Sequence, residues 1–333
     1  MRVLLVILMS LVGAAIVAMG AGWALLHRSD IPYEKLEAKY GYPNSEFAEL
    51  PGGVRMHYLE QGAEGAPTLL LVHGFSASLH TWDAWADQLD DRFHVVRVDL
   101  PGHGLTRAPA EYRASIDNYR ETLHAFVESQ GLQNFALAGS SMGGNIAWEY
   151  ALAQPERVAG LVLVDSSGFE ENRAGLSDDP PVFQILRNPL LGPVFRDLDT
   201  RNLARQGLLN SFSDPSLVTD AMVDRYVELS RAPGHRQQLL DITLGFRERN
   251  YATPARLQPL SQTPVLILAG AEDNLVPAEH ARFFHAAIPG SQLIVYPNVG
   301  HIPQEEIPER SAANVAGFLE RVFAPEPALA LAE

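Results

Sequence analysis

Short apolar runs, several of them almost pure Val, Leu and Ile, recur along the chain with longer amphipathic stretches between them. This alternation is the tightest constraint on the fold. A strand buried on both faces has no polar side to show, so continuous runs read as parallel strands, which need long crossovers, usually helical. Extended segments are expected at 46–50, 54–60, 68–72, 93–98, 135–138, 158–164, 265–268 and 292–296, and helices at 81–89, 116–130, 142–153, 278–287 and 308–322. The class is therefore α/β, with a mostly parallel central sheet and helices on both faces. One interval breaks the rhythm. Between Val164 and Val265 lie about a hundred residues of helical but irregular character, punctuated by Pro180, Pro181, Pro189, Pro193, Pro215, Pro233 and Pro254. A structureless loop of that length does not suit a compact domain, so the interval is read as a helical cap inserted after the sixth strand. The expected division is an N-terminal segment (1–28), a polar linker (29–44), a core (45–165 and 264–323), the cap (166–263) and a loose tail (324–333).

With 333 residues, 47% of them hydrophobic, the chain can bury a full core. Its formal net charge of −15 disfavours nucleic acid and anionic lipid headgroups as partners. The absence of cysteine excludes disulfides, thiolate metal sites and a cysteine nucleophile. From Val3 to Leu26 no residue is charged, and a helix of that length reaches about 36 Å, beyond the roughly 30 Å of a hydrocarbon core. A cleaved signal would have a shorter apolar stretch of about 7–15 residues. The segment is read as a single-pass membrane anchor with the body outside the cytosol; secretion after cleavage is the alternative. Oligomeric state stays open.

Chemistry concentrates where predicted strands end. Gly139-Ser140-Ser141-Met142-Gly143 has the form G-x-S-x-G, lying between an apolar strand and an amphipathic helix. A sharp strand-to-helix turn leaves the hydroxyl of the central residue projecting, which assigns Ser141 as nucleophile. A serine hydroxyl needs a base, and the base needs an orienting group. His301, in Val299-Gly300-His301 after the last strand, is the candidate base. Asp273, in Ala269-Gly270-Ala271-Glu272-Asp273 after the preceding strand, is the candidate acid, with Asp165 the lesser choice at the end of the sixth strand and Glu272 expected to point away. The backbone amides of Phe75, in His73-Gly74-Phe75, and of Met142 can face each other as oxyanion donors. His73 is expected to be hydrogen-bonded within its loop. The remaining histidines have no metal-ligand spacing, and H-E-x-x-H, P-loop and dinucleotide patterns are missing, so neither metal nor organic cofactor is inferred.

These motifs, together with Asp99-Leu100-Pro101-Gly102-His103-Gly104 and Gly300-His301-Ile302-Pro303, resemble the α/β-hydrolase family in order and spacing over about 47–322. The resemblance implies an α/β-hydrolase fold and a cofactor-free serine hydrolase. Its triad would be Ser141, Asp273 and His301, its oxyanion hole Phe75 and Met142. The Gly-Ser-Ser-Met-Gly-Gly elbow behind an apolar N-terminus looks like bacterial lipases and monoacylglycerol lipases. The same elbow occurs in carbon–carbon hydrolases of ring-fission products, the alternative reading. Cap residues such as Val182, Phe183, Leu190, Val194, Phe195, Leu208 and Phe212 suit an acyl chain. The expected substrate is a neutral, hydrophobic, lipid-like ester.

Overall fold

Alternate residues of the central strands go to opposite sides of a single sheet, and each side gathers its own helices. In the computed structural model, which describes residues 20–63, 65–169, 191–245 and 251–324 with positions 13, 17 and 188, the strand order is β1-β2-β4-β3-β5-β6-β7-β8. The strands are β1 (Glu46–Leu50), β2 (Val54–Gln61), β3 (Thr68–Val72), β4 (His94–Val98), β5 (Phe135–Ser140), β6 (Val158–Val164), β7 (Val265–Gly270) and β8 (Gln292–Tyr296). β1 and β4 each pair antiparallel with β2, and all other pairings are parallel. On one face Leu70, Val72, Val98, Leu137 and Leu163 pack under the helices Ile116–Ser129, Met142–Ala153 and Ala278–Ala287. On the other, Leu69, Leu71, Val95, Ala138 and Val162 meet Asp83–Leu89 and Pro308–Val322. Each fully buried aliphatic side chain contributes about 1.5–3 kcal/mol, which is why unbroken Val/Leu/Ile runs dictate a two-sided sheet.

The sheet winds one way from β3 to β4 and the other way from β3 to β5, so the crevice at this reversal opens beyond the carboxyl ends of β3 and β5. The loops carrying His73–Phe75 and Ser141 are neighbours there. β5 and β7 run two residues past the ends expected from sequence. Gly139 and Ser140 continue the pairing with Leu163 and Val164, as Ala269 and Gly270 do with Val295 and Tyr296.

Two parts of the chain differ from, or go beyond, the sequence reading. Residues read as a polar linker contain the helix Tyr33–Tyr40, whose apolar Tyr33 and Leu36 share a face and bury against Leu105, Leu229 and Ala232. The Tyr33 hydroxyl, 3.0 Å from His235 Nε2 and 3.2 Å from the Thr106 carbonyl, completes the docking. Between β6 and β7, the helices Gly192–Arg196, Arg201–Ser211, Asp220–Ser230, His235–Gly245 and Pro254–Leu257 supply the expected helical character. Leu208, Phe212, Val223 and Val227 cluster with Ile302, beside His301, so this segment covers the β8 loop. The chain before Tyr33 is stitched to it: Arg28 N–H donates to Asp197 O, Asp199 N–H to Leu26 O and Ile31 N–H to Arg231 O, each at 2.8 Å.

Most of the uncharged N-terminal run, the cap residues 170–187, 189–190 and 246–250, and the tail beyond 324 lie outside the described residues. Among the described residues no helix is long and apolar enough to cross a membrane. The docked helix makes a clear prediction. Leu36→Ala should lower unfolding free energy by about 3 kcal/mol in urea titration, as buried Leu truncations do; an unshifted midpoint would return the segment to the role of a linker.

Candidate active site

Ser141 stands where β5 becomes the helix Met142–Ala153, with φ +53° and ψ −115°. A non-glycine residue in that region costs about 1–3 kcal/mol and persists only where its neighbours over-determine it. They do so here through hydrogen bonds on both sides of the residue. Ser141 N–H donates to Val164 O at 2.9 Å, and Ser141 O accepts from Ser167 N–H at 3.1 Å and Asn145 N–H at 3.2 Å. The flanking glycines are a packing requirement. A Cβ on Gly139 would collide with the Gly143 carbonyl, and one on Gly143 with the Val72 and His73 carbonyls. Ser140 is otherwise engaged, since its buried Oγ accepts from Gln304 Nε2 at 3.3 Å.

His301 and Asp273 meet across 28 residues, with Nδ1 and Oδ2 2.6 Å apart and both side chains buried. Asp273 is fixed in turn, because its Oδ1 accepts Leu275 N–H at 2.7 Å and Val276 N–H at 2.9 Å. A carboxylate on Nδ1 selects the tautomer that leaves Nε2 free to accept a proton. Ser141 and His301 line the same cavity of about 320 Å³, together with Gly74, Phe75, Phe169, Leu275, Val276 and Ile302. Glu272 turns outward and accepts the Ser213 hydroxyl.

Beside the cavity, His73 holds the loop after β3 by both ring nitrogens. Nε2 accepts Leu100 N–H at 3.0 Å, which leaves Nδ1 protonated to donate to Gly74 O at 2.7 Å. In a trans peptide the N–H points opposite to the C=O, so gripping the Gly74 carbonyl turns the Phe75 amide away from His73. Burial keeps the His73 ring below its ordinary pKa, hence neutral. Met142, the first residue of its helix, carries one of the four amides that no helical carbonyl satisfies. The Asp99 carboxylate beneath this loop accepts from His57 Nδ1, Leu79 N–H and Leu105 N–H at 2.7, 2.8 and 2.9 Å. Burial alone would raise its pKa, but the hydrogen bond from His57 and the electrostatic pull of the surrounding imidazole rings outweigh that and hold it below the carboxylate range.

Asp165 lies directly behind Asp273. It is buried at the end of β6 with φ +42°, and its Oδ1 accepts Gly270 N–H at 3.0 Å. Burial first, and then the Asp273 charge, push its carboxyl well above the usual range.

Glu306 is a residue the sequence reading missed. Its Oε2 accepts Gly300 N–H at 2.7 Å, while Oε1 accepts Ser213 N–H and Asp214 N–H, each at 2.9 Å. One carboxylate thus ties the His301 loop to the overlying helical segment, which also accepts His301 N–H at Ser211 O, 2.7 Å away. The only sequence signal is an acid five residues after the histidine. Glu306→Ala should cut kcat by about tenfold or more through misplacement of His301 while the fold persists. Steady-state kinetics with far-UV circular dichroism checks this, and unchanged kcat would make the clamp irrelevant to catalysis.

The chain is 31% identical over 279 residues to the dihydrolipoyllysine-residue acetyltransferase component of an acetoin cleaving system of Pseudomonas putida, covering 84% of this chain and 70% of that protein. It is 28% identical over 272 residues to Lipase 1 of Psychrobacter immobilis, covering 81% and 82% respectively. A solved structure of a membrane phospholipase A, described as a bacterial virulence factor, aligns with a TM-score of 0.71 at 26% identity over 98% of this chain and 100% of that one. The family model for the alpha/beta hydrolase fold matches residues 67–308, from the start of β3 to the first residue of the last helix. Strand order, serine turn and this match agree, and the chain belongs to the α/β-hydrolase family.

Proposed function

We propose that the protein is a serine hydrolase cleaving carboxylic esters of hydrophobic, lipid-like substrates through an acyl-enzyme. The observation that carries this reading is that His301, paired with buried Asp273, lines the same cavity as Ser141 on its strained turn. Ser141 Oγ attacks the ester carbonyl as His301 Nε2 takes its proton. The amides of Phe75 and Met142 stabilise the oxyanion, a contribution of about 10²–10³ in kcat for each such donor. His301 then protonates the leaving alcohol, and water, activated by the same imidazole, releases the acid.

Three features support a lipid-like substrate. Phe75, Phe169, Leu275, Val276 and Ile302 give the cavity an apolar lining. Trp23, Leu25 and Leu26 are exposed beside exposed Leu191, Val194 and Phe195, the two groups joined by Trp23 Nε1–H donating to Val194 O at 3.1 Å. An apolar surface of this kind, continuing an uncharged run that starts at Val3, favours attachment to a bilayer, with the body outside the cytosol. Similarity to Lipase 1 and to a membrane phospholipase A points the same way.

Purified full-length protein should hydrolyse p-nitrophenyl esters and be labelled at Ser141 by a fluorophosphonate. Ser141→Ala should lose both, with kcat down by at least about 10⁴-fold. Absence of both ester turnover and labelling in the wild-type protein would overturn the proposal, and turnover of a ring-fission dienoate alone would assign carbon–carbon hydrolysis instead. For the membrane side, full-length protein should co-sediment with neutral phosphatidylcholine vesicles and stay bound at high salt, since apolar insertion is not screened; release into the supernatant would remove that part of the reading.

A further inference from the structure

The family needs one orienting acid, and this chain buries two beside the same histidine. One ligating atom each from Asp165, Asp273 and His301 lie within 4.8 Å of one another. Asp273 uses both oxygens fully, one on two backbone amides and one on His301. Asp165 uses only Oδ1, and among the described residues no donor reaches its buried Oδ2. Two bare carboxylates this close, away from water, repel strongly, and the arrangement is stable when one of them keeps a proton. Asp165 is the one suited to keep it, because no cation or donor faces its second oxygen, whereas Asp273 faces His301.

We propose that Asp165 is a reserve positioning acid for His301: protonated beside Asp273 in the intact protein, it ionises and accepts the His301 Nδ1–H when the Asp273 carboxylate is removed. No covalent step is involved. Asp165 releases its proton to solvent, the space vacated by Asp273 lets the side chain rotate, and the imidazole exchanges one acceptor for the other. This rests on the ester-hydrolase reading, and the experiment separates the two: wild-type ester turnover tests that reading, and the variant series tests the reserve.

The series is Asp165→Asn, Asp273→Ala, the double variant and His301→Ala, assayed in full-length protein with a soluble p-nitrophenyl ester. Asp165→Asn keeps an acceptor for Gly270 N–H and should cost about threefold in kcat. Asp273→Ala should cost about 10²-fold, with KM little changed. The double variant should fall to the level of His301→Ala, about 10⁴-fold or more, well beyond the product of the single effects. A residue that only supports the fold would give a multiplicative double variant, and that result overturns the proposal. So does Asp273→Ala as inactive as His301→Ala. Formate supplies a second readout that does not depend on matched stabilities: it should restore kcat in the double variant by at least about tenfold and add little to Asp273→Ala, where a carboxylate is already present. Equal restoration of both would end the idea.

Discussion

The first turn of the helix Met142–Ala153 is pressed against the carboxyl ends of β3 and β5 with no room for a side chain at Gly143, and the whole arrangement of the candidate site depends on that contact. Gly143 lies against the Val72 and His73 carbonyls, and Gly139 against Gly143 itself. The helix can reach this position only if the residue between strand and helix takes a left-handed conformation. Ser141 does, secured by hydrogen bonds from β6 and from the segment after it. A local strain of about 1–3 kcal/mol is thereby offset by sheet packing many times larger. The same approach brings the amide of Met142 beside the loop leaving β3, whose peptide orientation is set by His73.

The site is not a property of the sheet alone. The His301 loop gets its backbone partners from the helices between β6 and β7, at Ser211, and from Glu306, whose carboxylate spans both segments. On the other side, Asp99 gathers His57 and two loop amides beneath the loop that follows β3. Carboxylates that accept several backbone N–H groups fix both loops at the carboxyl edge of the sheet.

Some of this was legible in the chain and some was not, for physical reasons. β3, β6 and β7 are written in continuous aliphatic runs because both faces are buried, and the serine turn is written in glycines because only they fit. The helix Tyr33–Tyr40 was hidden, since two buried anchors, Tyr33 and Leu36, in an octet that carries four charged residues give little amphipathic signal. The partnership of His57 with Asp99 joins positions 42 apart that meet only through the β2–β4 register, where Tyr58 faces Val98. Asp165 could be weighed against Asp273 from their strand-end positions. That both point into one buried cluster follows from β6 and β7 being adjacent, and no local pattern encodes it. Glu306 left a trace too faint to read, because an acid after a histidine is common on any surface.

The seam between residues 26–31 and the helical segment has a mechanical meaning. Three backbone hydrogen bonds and the Arg28–Asp199 ion pair at 2.8 Å bind the start of the chain to the turn between the helices Gly192–Arg196 and Arg201–Ser211 and to the end of Asp220–Ser230. That segment can lift from the cavity only by breaking these bonds or by carrying the entering chain with it. Whatever fixes residue 26 in space therefore also restrains the helices that overhang the cavity at Ser211 and Tyr226.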